Sequence, residues 1–431
     1  GVIMTTTAPA RPRIEPTVLQ ALRSPRLLTR EVLAGLVVAL ALIPEAIAFS
    51  IIAGVDPRVG LFSSFIMAVA IAFLGGRPAM ITAATGAVAL VIAPVVREYG
   101  MDYFIATVLL GGVIQIVLGL VGVAKLMRFI PRSVMVGFVN ALAILIFLAQ
   151  LPQLFGDGIP WLVWPLLAVG LAILYAMPRL TKAVPAPLVA IVLLTAAVVV
   201  FAWNVPTVGD QGELPESLPS LFIPNVPLTL ETLQIIGPFA LAMAVVGLLE
   251  SLMTAKLVDD ITDTHSSKTR ESLGQGAANI LSGAFGGMGG CAMIGQTMIN
   301  VKASGARTRI STFLAGLFLL ILVLALGDVV AIIPMAALVA VMIMVCIGTF
   351  DWHSIRPATL RRMPKSETAV MLITVVATVW THNLAIGVVL GVIAAMIMFA
   401  RRVAHFVTVT RTVDAEASTA HYAVDGELFF A

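Results

Sequence analysis

Apolar runs follow one another along almost the whole chain, broken only by short charged or Pro/Gly-rich stretches. Taken in order they give fourteen spans, at approximately 32–52, 58–75, 84–96, 103–124, 133–151, 161–177, 186–203, 233–256, 271–286, 294–303, 308–327, 329–349, 367–381 and 383–400. A helix needs about 20 apolar residues to cross a bilayer, so the third and tenth are too short to cross alone. The chain is 60% hydrophobic and only 11% charged, against about 25% charged residues in a soluble domain. No single aqueous core hides that much apolar surface. The expected solvent is the lipid bilayer, and the expected fold class is an all-α polytopic membrane protein.

Several functions are disfavoured at once. The formal net charge is +3, and no basic stripe interleaved with aromatics is present, so no nucleic-acid partner is expected. Cys291 and Cys346 both fall in apolar runs and read as small core residues, which leaves neither a disulfide framework nor a metal cluster. No metal or other cofactor is therefore expected. The phosphate-loop and His-Glu-x-x-His signatures are absent, which argues against ATP-driven transport and zinc-dependent proteolysis. No nucleophile–base constellation is apparent, so the chain does not read as an enzyme. Residues 1–30 are polar and Arg-bearing, without the apolar stretch of a cleavable signal peptide; the first span is expected to target the membrane itself.

Charge placement fixes an orientation. Cytoplasmic loops are enriched in Lys and Arg. With the N-terminus inside and the spans alternating, all but Arg58 and Arg97 of the 26 basic residues fall on the inner side. The longest outer loop, about 204–232, carries Asp210, Glu213, Glu216 and Glu231 and no basic residue. An even span count with both termini cytoplasmic, in the inner membrane, is the reading that keeps this asymmetry.

The stretch Ala72–Ile81 precedes the third span, and Ala284–Ile294 precedes the tenth. Each holds Ala-Phe, a Gly pair and Ala-Met-Ile. The two short spans stand seven apart, an odd number, so the halves are expected to be inverted repeats. Paired interrupted helices in inverted repeats point to a transport site near the midplane. A half-helix that starts inside the membrane presents free N–H groups and a partial positive charge. Two such starts facing one another make an anion seat without a lysine or arginine. Thr82 and Thr85 sit at the third span, and Gln296 and Thr297 open the tenth; each either caps a half-helix or contacts substrate.

Two carboxylates fall mid-span, Glu45 in the first and Glu250 in the eighth, in corresponding spans of the two halves. An intramembrane carboxylate is a functional candidate by default, the alternative being a neutral Glu hydrogen-bonded between helices. Glu45 follows Pro44, which interrupts the helix ladder, and Phe49 lies one turn further along the same face. A carboxyl buried beside a bound anion favours its neutral form. A proton could then travel with the substrate, with Glu250 the favoured carrier; a sodium site on the same carboxylate is the competing reading. His265 and His382 read as loop residues. Asp259, Asp260 and Asp263 read as a solvated inner loop.

The stretches Ile43-Pro44-Glu45-Ala46-Ile47-Ala48-Phe49 and Ala53-Gly54-Val55-Asp56-Pro57-Arg58-Val59-Gly60-Leu61 resemble the opening of the sulfate permease family, the solute carrier family 26 group. Gly247-Leu248-Leu249-Glu250-Ser251-Leu252 is similar to its eighth helix, and Gly274-Gln275-Gly276-Ala277-Ala278-Asn279 to its ninth. Asn300 through Thr308 resembles the segment that closes its tenth. The resemblance covers nearly the whole chain. It implies fourteen transmembrane segments as two inverted seven-helix repeats, with short β-like stretches before half-helices three and ten.

It also implies a division of labour. Residues 1–30 would be a cytoplasmic N-terminal segment. A core domain would comprise 31–126 and 233–327, and a gate domain 127–205 and 328–402. An extracytoplasmic loop would span 206–232, and a cytoplasmic tail 403–431. The core would carry substrate against the gate in an elevator-like motion, and the protein would form a homodimer. His421–Phe430 resembles the first strands of a STAS domain; the chain stops there, and the expectation is a transmembrane domain without the rest of it. By motif, Glu45 and Phe49 match substrate-facing positions of the first helix. Thr85, Gly86 and Ala87 match the start of the third, and Gly295, Gln296 and Thr297 that of the tenth. Glu250 matches the carboxylate linked to cation coupling. Many relatives have Arg-Ser where this chain has Gln296-Thr297; with Glu45 and Glu250 this departure favours a proton-coupled carboxylate or bicarbonate carrier over tight sulfate or chloride binding, and a proton-coupled dicarboxylate such as fumarate or succinate is the first expectation. A sodium-coupled bicarbonate or sulfate transporter is the alternative, followed by a nucleobase permease or an anion channel.

Overall fold

The structure is a computed structural model. It describes residues 15–181, 186–404 and 408–425. The start of the N-terminal segment, Lys182 and the expected strand residues beyond 425 lie outside the described residues. In chain order the helices are α1 (Val18–Arg23), α2 (Pro25–Ala53), α3 (Pro57–Leu74), α4 (Gly86–Tyr99), α5 (Met101–Val121), α6 (Arg132–Phe155), α7 (Val163–Leu180), α8 (Ala186–Val200), α9 (Leu230–Thr262), α10 (Lys268–Ala284), α11 (Ile294–Met298), α12 (Arg309–Ala325), α13 (Gly327–Ala331), α14 (Met335–Thr349), α15 (Pro357–Arg362), α16 (Lys365–Thr381) and α17 (Leu384–Ala404). Strands β1 (Thr82–Ala84) and β2 (Gly290–Ala292) precede α4 and α11, and β3 (Thr408–Asp414) and β4 (Thr419–Asp425) close the described chain. Helix α11 continues as a π-helical turn through Ala303.

Among the described residues, seven helices are long and apolar enough to cross a bilayer alone: α2, α3, α5, α6, α7, α9 and α17. The other spans are shorter helices. The twelfth, expected as one helix over 329–349, is instead α13 and α14 separated by Ile332–Pro334. Pro334 cannot donate to a helix ladder. The freed groups are paired by the loop after α8: the Val208 N–H donates to the Ile333 carbonyl and the Met335 N–H to the Pro206 carbonyl, each at 2.9 Å. A break inside an apolar segment requires such pairing of its backbone groups.

The chain forms two compact units. The larger comprises residues 1–127 and 142–349. In it α5 packs on α10, α12 on both α2 and α3, and α9 on α5. The α5–α10 approach depends on glycine: a Cβ on Gly276 would sit 2.6 Å from the Gly112 carbonyl, and one on Gly112 would sit 2.7 Å from the Gly276 carbonyl. Small residues allow the close backbone approach on which helix packing in lipid depends.

Buried polar links brace helix ends of this unit. Glu271, fully buried, accepts the N–H groups of Gly76 (2.7 Å) and Arg77 (3.1 Å) and the Gln275 amide (2.7 Å). Glu31 accepts the Arg307 N–H at 2.9 Å and the Thr308 N–H at 3.4 Å. The aspartate cluster departs from the solvated loop expected of it. Asp259 and Asp260 belong to α9, which runs on to Thr262. Asp259 is buried and accepts Arg77 at 2.9 Å and Ser266 at 2.7 Å, with Lys268 also bound. Arg77 also pairs with Glu15. Burial pulls the Arg77 guanidinium below its ordinary value while Asp259 resists that pull, so it remains a cation in this network. Asp260 and Asp263 are exposed, as are His265 and His382 in their loops.

The smaller unit comprises 128–141 and 350–431. Helices α16 and α17 pack through Gly387 and Gly391 against Thr378 and Thr374. Asn140 ties the start of α6 to the 351–354 turn, donating to Ser354 at 3.0 Å and accepting the Asp351 N–H at 2.8 Å. Strands β3 and β4 form an antiparallel hairpin with Thr412 opposite His421. The first strand of the tail therefore lies upstream of His421.

Candidate functional site

Strands β1 and β2 pair antiparallel at the centre of the larger unit, with Thr82 opposite Ala292, Ala83 opposite Cys291 and Ala84 opposite Gly290. The Met293 N–H extends the ladder to the Ile81 carbonyl at 2.9 Å. Groups the ladder leaves over are taken up by buried side chains. The Ala84 N–H donates to Ser64 (3.3 Å), the Ala292 N–H to Ser251 (3.0 Å) and the Gly290 N–H to Asn279 (3.0 Å). Asn279 in turn donates to Gln115 at 2.7 Å. Each strand runs straight into a helix, so α4 and α11 begin at this pair and present their N–H ends to it. Antiparallel pairing sends the two helices off from opposite ends of the ladder.

The textual repeat finds the right segments in the wrong register. It equates Ile81 with Ile294, but Ile294 opens α11 as Gly86 opens α4. The offset is 86 − 81, five residues. Backbone geometry, not the shared Ala-Met-Ile text, is what the two halves have in common.

At the α4 start, Thr85 is the N-cap and its hydroxyl accepts the Val88 N–H at 3.5 Å. Gly86 and Ala87 are buried. The Phe49 ring lies over Gly86, where an added Cβ would come within 2.9 Å of Phe49 Cε1. Thr82 does not cap; its hydroxyl accepts the Gln275 amide at 2.9 Å. At the α11 start, the N-cap is Met293 and no side chain caps the helix. Gly295 is exposed, with nothing within 4 Å of where a Cβ would stand. Gln296 is buried with its side chain beside the half-buried Glu45 carboxyl, and its Oε1 has no protein partner. The Thr297 hydroxyl accepts the Ile81 N–H at 3.0 Å, bracing β1. Glu250 is buried in α9 and accepts the Cys291 thiol at 3.3 Å.

The predicted residues thus fall into two groups around one strand pair. Phe49, Thr85 and Gly86 meet at α4, and Glu45 meets Gln296 at α11. Glu250 reaches the ladder through Cys291, whose apolar sequence surroundings alone suggest a plain core residue. Its place opposite Ala83 depends on pairing between distant segments, which local sequence does not reveal. Glu271 and Glu31 carry no sequence signal of their burial, because each sits in the first turns of a span where a solvated headgroup position is the default. The starts of α4 and α11 carry no Lys or Arg, so the local positive potential comes from backbone N–H groups.

This arrangement defines a multi-pass membrane transporter built on a pair of broken helices. The profile of the sulfate permease family matches residues 28–159 and 157–374. YbaR of Bacillus subtilis (strain 168), named as a candidate sulfate transporter, is 54% identical over 402 residues, covering 93% of this chain and 83% of that protein. The chain belongs to the sulfate permease family of membrane anion transporters. It is also similar to the bicarbonate transporter BicA of Picosynechococcus sp., at 27% identity over 87% of this chain and 70% of that one. Among solved structures, the transmembrane domain of a cyanobacterial BicA superposes with a TM-score of 0.74 at 25% identity, over 86% of this chain and 98% of that one. The murine solute carrier 26 family member A9, in its inward-facing state, superposes at 0.78 and 18% identity, over 92% of this chain and 72% of that one. These likenesses agree with the two inverted seven-helix repeats and with a transporter rather than an enzyme.

Proposed function

We propose that the chain is a proton-coupled symporter of a small dicarboxylate such as fumarate or succinate. The anion is held between the starts of α4 and α11, and the core moves against the gate in an elevator-like manner. The observation that carries this reading is the set of groups at the strand pair. Two helix N-termini offer neutral N–H donors, Glu45 and Glu250 offer carboxyls, and Gln296 stands where a fixed cation would favour a strong inorganic anion. A site with backbone donors and two carboxyls binds an anion best when protons accompany it. Glu45, Phe49, Thr85, Gly86, Ala87, Gly295, Gln296 and Thr297 surround the substrate, and Glu250 carries the proton.

In the same reading the core is 31–126 with 233–327, the gate is 127–205 with 328–402, and the protein works as a homodimer. Both termini face the cytoplasm of a cell whose inner membrane it spans. A second reading is bicarbonate, favoured by the similarity to BicA and by the unpartnered Gln296 Oε1, an acceptor that the hydroxyl of bicarbonate fits. Proteoliposome uptake of fumarate, succinate, bicarbonate and sulfate, under proton or sodium gradients, tests both. Fumarate or succinate should accumulate with an inward proton gradient and be indifferent to sodium. Bicarbonate uptake driven by sodium would replace the first reading with the second. Sulfate uptake indifferent to either gradient would overturn both.

A further inference from the structure

The thiol of Cys291 has no role in the transport scheme above, yet it sits where the two halves of the chain meet. Strand β2 places it opposite Ala83. Its Sγ lies 3.3 Å from Glu250 Oε2 and 3.2 Å from Thr85 Oγ1. Cys291, Thr85 and Glu250 are all buried. The Thr85 hydroxyl in turn accepts the Val88 N–H in the first turn of α4. A thiol and a hydroxyl each have one proton to give. A carboxylate only accepts, so the S–H is committed to Glu250. The Thr85 O–H then donates to sulfur and its oxygen remains open to Val88. The bonds run in one direction, from the backbone of the broken helix to the carboxylate.

We propose that Cys291 is a positioning residue that links the protonation of Glu250 to the start of α4. The link rests on the reading of Glu250 as the proton carrier. With Glu250 charged, the S–H bond is charge-assisted and holds the chain taut. With Glu250 protonated that assistance is lost and Thr85 is held less firmly. Proton binding on α9 is thus felt at the cap of the anion seat.

The surroundings of Glu250 leave few competing groups. Among the described residues, Cys291 is the one titratable group in contact with its carboxyl. The charges of the helices packed against α9 lie towards their ends: Arg97 and Glu98 on α4, Asp102 on α5, and Lys268, Arg270 and Glu271 on α10. Lys302 follows α11, and α9 itself carries Glu231, Lys256, Asp259 and Asp260 away from Glu250. Glu45, the other carboxyl of the site, lies on α2 beside Gln296.

The chain has only two cysteines, so in Cys346→Ala the infrared S–H stretch belongs to Cys291 alone. In the full-length protein in liposomes, that band should sit at the low frequency of a strongly donating thiol at alkaline pH. It should rise as pH falls, and should become independent of pH in Cys346→Ala/Glu250→Gln. Cys291→Ala should cut proton-driven fumarate uptake several-fold and move the alkaline limb of its pH profile by about half a unit or more. Cys291→Ser, which keeps a donor and an acceptor, should restore both. An S–H band at the frequency of a free thiol, or one blind to pH while Glu250→Gln abolishes coupling, overturns the link and spares the symport reading. A band that follows pH while Glu250→Gln transports with coupling intact removes the proton-carrier reading and with it the proposed role.

Discussion

Glu271 is where the structure makes its sharpest energetic demand. Its carboxylate holds the backbone N–H groups of Gly76 and Arg77 and the amide of Gln275, and Gln275 passes the constraint on to Thr82 in β1. Replacing it with alanine strands two backbone donors and one side-chain donor. The side chain is fully buried, so water does not readily replace it. Each stranded donor costs about 1–3 kcal/mol. The amide of Gln275 can turn elsewhere, so the two backbone groups set the scale, at roughly 2–6 kcal/mol. That is a large share of a typical stability of about 5–15 kcal/mol. Both backbone donors share the one oxygen Oε2, so Glu271→Gln, which retains an acceptor there, gives up mainly the Gln275 contact and should lose less than the alanine variant. The assay is thermal unfolding of the purified protein in detergent, followed by tryptophan fluorescence. A fall on the order of 5 °C is expected for Glu271→Ala, with Glu271→Gln between it and the parent. An alanine variant that melts with the parent would refute the claim that this carboxylate secures the lead-in to β1.

Other expectations follow from the same geometry. Glu250→Gln should leave the protein folded and abolish accumulation driven by a proton gradient, which vesicle uptake with and without the gradient reads directly. Gln296→Arg places a fixed cation beside Glu45 and should shift preference towards sulfate; an unchanged competition panel would argue against the seat at α11. Gly276→Val pushes a side chain into the Gly112 carbonyl and should destabilise by about 1–3 kcal/mol, seen as a lower melting temperature with the anion preference intact.

Much of the fold was legible because lipid imposes a simple rule of length and polarity. The short third and tenth spans, the mid-span Glu45 and Glu250, and the glycine-bounded entry to each half-helix all follow from it. What escaped notice depends on contacts between distant segments. Asp259 reads as solvent-exposed until Arg77, 182 positions earlier, is brought beside it. Cys291 reads as filler until β2 is set against β1. The break at Pro334 is hidden because its flanks are as apolar as any helix, and only pairing with residues 206–208 shows how its backbone is satisfied. The repeat was found through letters that the halves share by coincidence of register, while the true correspondence lies in where each helix starts.

The strand pair joins positions 83 and 291, separated by 208 residues. During synthesis the ribosome delivers the first of these long before the second exists. Until the later half emerges, the three extended residues of β1 wait without their strand partner, a state that hydrocarbon penalises by several kcal/mol for each open group. The early helices therefore have to shelter Thr82–Ala84 provisionally, against Ser64 or in a wet crevice, and exchange that shelter for β2 at the end. Half of this chain is not half of a transporter, and the moment of ladder closure marks when the membrane-inserted bundle becomes a single machine.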